Sequence, residues 1–379
     1  MAGTVRAFGQ LGAALLPVVP TRGPMKSSQV DAGWLTAHFG SSNPGAAVTS
    51  VAPMDGTSGT TDRRRLHVEW NDAGRRAGLP ATVYVKSTPL SAKNRTMVAS
   101  LDMAVNEVRF YKAASSSFSE HVPAFWFGYA GIGARHLLLL EDLTAQDCRP
   151  FALADDCGIN HARALIDALA KLHATFWESD RLKGDLSFAK RWSDRPGYAV
   201  LKSFYRKGRI GALKLALPEA TPEVRRLAAA MASNEDAFYR QFELGPLTLL
   251  HGDSHLGNTY AYPDGRAGLL DWQVVWQGPG LREVSYFITT GLEPDVRRAH
   301  ARDLVDRYLE GLRAYGISDL PSSDEAFDRY RIFSAEAWDA TAMTVSWPGL
   351  QAPENMAAGW RRSCLAVEDN EAASLIEKL

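Results

Sequence analysis

The chain has 379 residues, enough for two packed lobes and a sizeable core. Its composition is 46 % hydrophobic and 22 % charged, and the formal net charge is -1. That balance excludes a strongly basic nucleic-acid binder or a protein recruited mainly by anionic membrane charge.

Three cysteines at 148, 157 and 364 form no C-x-x-C pair, so neither a disulfide framework nor a zinc ribbon is expected. A reducing cytoplasm is the expected location. Leu11 to Val19 is an apolar run that weakly resembles a secretory signal, but Pro17 interrupts it and no small-x-small cleavage site follows. Residues 1–26 read as a poorly structured extension, and no stretch has the length of a membrane span.

A short helix is expected from about Asp31 to Phe39. Strands follow across 47–87. Leu66, Val68 and Trp70 alternate with polar residues, and Val83 and Val85 face opposite to Tyr84 and Lys86. Between the strands, 54–62 is rich in Gly, Ser and Thr. Leu101, Val105 and Val108 then mark a helix that contains Glu107, and strands are expected at 124–129 and 136–140. From Asn160 onward the chain reads as mainly helical. One amphipathic helix ends near Trp177, another spans 222–243, and a strand–loop–strand region sits at 247–276.

The strongest chemical signal is His251-Gly-Asp253-Ser-His-Leu-Gly-Asn258, followed by Leu269-Leu270-Asp271-Trp272-Gln273. Two carboxylates and a carboxamide at strand ends or in loops can converge on one point. Phosphoryl transfer needs a carboxylate base, oxygen ligands for magnesium and a cation on the phosphates. Asp253 suits the base, Asn258 and Asp271 the metal, and Lys86 the phosphates. The alternation of His251, Asp253 and His255 would also suit zinc, and His173 on an apolar helix face reads as a core histidine.

His251-Gly-Asp253, with Asn258 five positions after the Asp and Asp271 at a strand end, resembles the aminoglycoside phosphotransferase and choline kinase-like superfamily. The likeness extends to its bacterial phosphotransferase and ecdysteroid kinase-like members. It covers residues 45–370 and is most specific at 251–273. The resemblance implies an α+β, bilobal protein kinase-like fold. In it, a small N-lobe (27–143) has an antiparallel sheet and one helix, and a larger, mainly helical C-lobe (144–379) holds the catalytic loop and acceptor site.

It further implies an ATP- and magnesium-dependent kinase of a small-molecule hydroxyl, with the nucleotide and the alcohol as its partners and neither nucleic acid nor membrane among them. Lys86 looks like the phosphate-binding lysine and Glu107 like its ion-pair partner. Gly56, Thr57, Ser58 and Gly59 look like a phosphate-covering loop, and backbone at Glu141 and Leu143 would face adenine. Two departures stand out. The loop does not read G-x-G-x-x-G, and Glu283 occupies a position where the family usually has Asp.

The acceptor is expected to be neutral or partly apolar. Arg181 to Lys214 carries ten basic residues against Asp185 and Asp194, with aromatics interleaved, which disfavours a polycationic aminoglycoside. An aminoglycoside kinase, or a catalytically silent binding module on the same fold, are the alternatives. Trp338 and Trp347 are expected in the core, with an acceptor pocket the second possibility.

Overall fold

The computed structural model describes residues 2–16, 23–195, 198–347 and 349–379, with side chains from residue 9 onward. The chain divides into two compact units, 1–147 and 148–379.

In the first unit, α1 (Ala2–Leu15) and α2 (Ala32–Gly40) precede β1 (Val48–Ser58) and β2 (Asp62–Trp70). Then come α3 (Asp72–Arg76), β3 (Thr82–Ser87), α4 (Ala92–Ser100), α5 (Met103–Ala113), β4 (Phe125–Ala130) and β5 (His136–Glu141). The five strands form one antiparallel sheet in the order β1-β2-β3-β5-β4.

The expected alternation appears in β2, where Leu66, Val68 and Trp70 are buried while His67 and Glu69 are exposed. These residues join Val83, Val85, Leu137 and Leu139 in a core that α2 covers with Leu35 and Phe39. α5 packs on β4 and β5 and places Glu107 against Lys86 of β3.

Three sequence expectations change here. Residues 2–15 are helical, and the C-terminal carbonyls of α1 are held by arginines: Arg95 Nε donates to Ala14 O at 2.9 Å, and Arg135 donates to Ala13 O and Leu16 O. Residues 17–22 of the expected extension lie outside the described residues. The region after β3 carries two helices rather than one, because Ser91 caps α4 through a bond from Asn94 N before the chain turns at Asp102 into α5. The segment 54–58 belongs to β1, so only residues 59–61 separate the first two strands.

The second unit begins with β6 (Arg149–Pro150) and α6 (Gly158–Phe176), then α7 (Tyr198–Lys214), α8 (Pro222–Ser233) and α9 (Glu235–Arg240). Four short strands follow: β7 (Thr248–Leu250), β8 (Thr259–Ala261), β9 (Ala267–Leu269) and β10 (Trp276–Gly278). The chain ends in α10 (Gly280–Gly291), α11 (Pro294–Ala314), α12 (Ser323–Ser346), α13 (Pro353–Asp369) and α14 (Ala372–Ile376).

β7 pairs with β10, and β6-β8-β9 form a second small sheet. The helix expected across 222–243 breaks at Asn234, whose backbone leaves helical geometry while its Nδ2 donates to Ile376 O at 3.0 Å. Every residue of α10 is buried, so this helix is the axis of the unit, with α6, α11, α12 and α13 packed around it.

Candidate active site

Residues 251–258 run from the end of β7 to the start of β8, and Asp271 follows β9. The two small sheets therefore deliver both polar blocks to one place. His251 joins them. It is fully buried, its Nε2 lies 2.9 Å from Leu270 O, and its Nδ1 accepts the Asp253 N–H at 3.2 Å. Both ring nitrogens are thus engaged in a neutral imidazole, and burial holds its pKa below the ordinary histidine value. Leu270 N donates to Asn258 O at 3.0 Å, which fastens the blocks a second time.

Two backbone conformations sharpen the turns. Gly252 has φ +88°, and a Cβ built there would lie 2.3 Å from Val274 O. Only glycine meets both conditions. Asp271 sits in the left-handed region at φ 69°, ψ 61°, a conformation that costs energy for a residue with a side chain. It swings the chain from β9 into the turn at Trp272.

Asp253 is oriented from two sides. Tyr286 Oη donates to its Oδ1 at 3.0 Å, and Asn258 Nδ2 lies 3.3 Å from its Oδ2 and 2.8 Å from its backbone oxygen. Those bonds occupy the Asn258 amide nitrogen, so the amide oxygen is its atom that could serve as a ligand. Asn258 and Asp271 together supply a neutral and a charged oxygen donor, which suits a hard cation that keeps water and phosphate oxygens in its shell.

The zinc alternative fares differently. Among the described residues, no group of three or more His, Cys, Asp or Glu is arranged to hold a metal. The His251 nitrogens are already engaged, and His255 Nε2 stands 3.7 Å from Asp253 Oδ2.

The first turns of α10 carry the support for this loop. Glu283, 0 % exposed, accepts the His251 N–H at 2.9 Å, the Gly252 N–H at 2.5 Å and His173 Nε2 at 3.1 Å. Burial alone would raise its pKa. The His173 bond, with the favourable electrostatics of His173 and Arg282, outweighs burial and holds it below the ordinary carboxylate value.

Arg282 Nη1 donates to Gly252 O at 3.1 Å, and its Nη2 pairs with Glu336 Oε1 at 2.5 Å. Burial and then the Asp253 charge push the Tyr286 phenol far above its usual pKa, so it remains a donor. Sequence reasoning missed Arg282, Tyr286 and Glu336. No local spacing marks them, because the groups they bond lie 30 or more residues away in sequence.

In the first unit Lys86 and Glu107, 4 % and 1 % exposed, form an ion pair with Nζ 2.8 Å from Oε1. Gly56 has a packing reason of its own: a Cβ there would lie 2.4 Å from Arg63 O on the neighbouring strand. Gly59 has open space, donates to Thr61 O and accepts Asn94 Nδ2 at 2.6 Å, so α4 holds the tip next to the exposed Thr57 and Ser58. The Glu141 N–H is spent on Ala124 O, and Leu143 opens a short 3-10 turn capped by Asp142.

The basic stretch does not form a cationic wall. Lys202 pairs with Asp236 at 2.7 Å, Arg206 and Arg209 with Glu235, Arg209 also with Asp339, and Arg181 with Asp185. The charge argument against a polycationic acceptor therefore loses most of its force. Trp338 is buried beside Trp360, and Trp347 stacks on Phe204 at 3.9 Å.

The ecdysteroid kinase-like family model matches residues 60–317, well over half the chain and inclusive of all these residues except Gly56 to Gly59, Glu336 to Trp347 and Trp360. The chain belongs to the ecdysteroid kinase-like family. Solved structures with the same fold include a protein named as a candidate aminoglycoside phosphotransferase from Ralstonia eutropha JMP134. It is 15 % identical, with TM-score 0.52 and coverage of 90 % of this chain and 97 % of that one. Spectinomycin phosphotransferase APH(9)-Ia, bound to ADP and spectinomycin, is 12 % identical with TM-score 0.51, over 93 % and 99 % of the two chains. No curated protein matches in sequence. At such identities the likeness establishes the kinase-like fold of this ecdysteroid kinase-like chain and nothing finer. Among the described residues, no helix is long and apolar enough to cross a membrane.

Proposed function

We propose that the chain is a magnesium-dependent phosphotransferase that moves the γ-phosphoryl group of ATP to a hydroxyl of a small-molecule acceptor. The observation that carries this reading is the fixing of Asp253 by Tyr286 and Asn258 on a loop whose backbone is held by Glu283 and Arg282.

Asp253 orients the acceptor hydroxyl and receives its proton as the oxygen bonds to the γ-phosphorus. The bond from that phosphorus to the β,γ-bridging oxygen breaks, and ADP leaves. Asn258 and Asp271 would hold magnesium, which neutralises charge on the phosphates when bound. Lys86, paired with and aimed by Glu107, neutralises phosphate oxygens. Thr57 to Gly59 cover them, and backbone at Glu141 and Leu143 borders the adenine.

The family assignment and the ADP bound to one fold relative, the spectinomycin phosphotransferase, support the nucleotide part of this reading. The test is a thermal shift with ATP, with and without magnesium, together with ADP release over a panel of alcohols, sugars and sterols. Asp253→Asn should retain the nucleotide-induced shift and lose turnover by several orders of magnitude. Absence of any shift in the wild-type chain would remove the proposal.

A further inference from the structure

α4 is nine residues long, too short to hold its helix without a packing partner. That partner is α1. Ala14, 0 % exposed, packs with Val98 and Ala99 of α4 and with Ala104 and Ala134. Arg95 of α4 ties the contact. Its Nε donates to Ala14 O at 2.9 Å, and its Nη1 donates to Leu90 O at 2.8 Å and Pro89 O at 3.2 Å. One guanidinium therefore joins the C-terminal end of α1, α4 and the connection from β3, the strand that carries Lys86.

The turn between β4 and β5 holds the same end of α1. Gly133 N donates to Gln10 Oε1 at 2.6 Å, and Arg135 Nη1 donates to Ala13 O at 2.5 Å. A Cβ on Gly133 would lie 2.6 Å from Ala13 C and Ala14 N, so backbone meets backbone there.

The residue before Arg95 reaches a different element. Asn94 Nδ2 donates to Gly59 O at 2.6 Å, 35 residues earlier in the chain. Gly59 stands at the bend between β1 and β2, beside the exposed Thr57 and Ser58. The base of that hairpin is fixed by Asp62, which is buried and accepts Ser27 Oγ at 2.9 Å. Among the described residues, the Asn94 bond is the one hydrogen bond that joins residues 57–60 to another element. Adjacent residues 94 and 95 thus connect α1 to the tip.

We propose that Asn94 is a positioning residue for the nucleotide phosphates. It sets the place of the Thr57–Gly59 tip over them, and α1 braces it through Ala14 and Arg95. The inference rests on the phosphotransfer reading above, in which that tip covers the phosphates. A tip already fixed when the nucleotide arrives spares binding the cost of ordering it.

The experiment uses the full chain and measures Kd for Mg-ATP by calorimetry and for adenosine by competition with Mg-ATP. Adenosine has the base and sugar but no phosphate. In Asn94→Ala, the Kd for Mg-ATP should rise roughly fivefold, the worth of one uncharged hydrogen bond, while that for adenosine stays at the wild-type value. Ala14→Asp places a charge in the contact between α1 and α4, and it should shift the two ligands in the same way.

An unchanged Kd for Mg-ATP in Asn94→Ala overturns the inference. An equal rise for both ligands overturns it too, because the effect then reaches the whole site rather than the phosphates. Wild-type affinity for Mg-ATP in Ala14→Asp overturns the role of α1. If Ala14→Asp does not fold, Arg135→Met, which frees the same end of α1, takes its place. Absence of Mg-ATP binding in the wild type removes the phosphotransfer reading and this inference with it.

Discussion

The Tyr286 hydroxyl donates to Asp253 Oδ1 at 3.0 Å, across 33 residues of sequence. The tyrosine is buried on α10, so its ring is fixed by packing and its hydroxyl acts as a rigid stop for the carboxylate. Tyr286→Phe removes only that oxygen. We expect turnover to fall roughly 10- to 100-fold, the range for one hydrogen bond to a charged group, with nucleotide affinity unchanged. Kinetics beside a nucleotide titration check this. A variant with wild-type kcat would mean that Asp253 needs no help from α10.

Glu283 is a separate case, because it touches backbone rather than the proposed base. Glu283→Gln preserves shape and one acceptor oxygen but gives up a charge that receives two N–H groups and His173. A loss of about 1–3 kcal/mol is expected at neutral pH. The pH dependence has a definite sign. The folded-state pKa lies below the ordinary value of 4.5, so between the two the unfolded chain binds more protons. The stability from Glu283 is therefore fully present above about pH 4.5 and is lost as pH falls through the folded pKa. Urea unfolding of both proteins from pH 7 to pH 3 should show the gap between them narrowing only in the acid range. A constant gap would contradict this origin.

What could be read from the sequence was what lies close together in the chain. The order His251, Asp253, Asn258, Asp271 is a local pattern on loops, where side-chain chemistry is set by spacing, and the alternation in β2 and β3 is a property of strands. Glu336, Arg282 and Tyr286 act through groups 30 or more residues away in sequence, so no local spacing marks them. The Gly/Ser/Thr run at 54–62 read as a loop, yet 54–58 is strand, and the missing side chain of Gly56 is demanded by Arg63 on the paired strand, a fact of register that composition cannot reveal. The charge of 181–214 was plain in sequence, but the carboxylates that neutralise it, Glu235, Asp236 and Asp339, come from other helices.

Lys86 and Glu107 allow stability and function to be separated. Lys86→Met leaves a buried carboxylate facing an apolar side chain, at an expected cost of about 3–5 kcal/mol. Lys86→Met with Glu107→Leu removes both charges and should recover most of that loss, because burying two charges together gives little net gain over apolar packing. Nucleotide affinity should stay low in both variants if Lys86 neutralises phosphate. Chemical denaturation and a nucleotide titration on the three proteins provide the check. A double variant that regains affinity along with stability would show that the pair serves the fold alone.

Gly252→Ala tests the turn itself. The methyl group meets two obstacles, a φ of +88° and the Val274 carbonyl at 2.3 Å. The first costs roughly 1–2 kcal/mol for a residue with a side chain. The second cannot be relieved by a rotamer change, because the opposing atom is backbone in the turn leading to β10. The loop must therefore move away from Val274, and the movement strains the bonds from Gly252 N to Glu283 and from Arg282 to Gly252 O. A total loss of about 3 kcal/mol or more is expected, with turnover falling further than stability because Asp253 is the next residue. Thermal unfolding and ADP release measured on the same preparation separate the two effects. A variant that matches the wild type in both would show that residue 252 has room in solution that its backbone contacts deny.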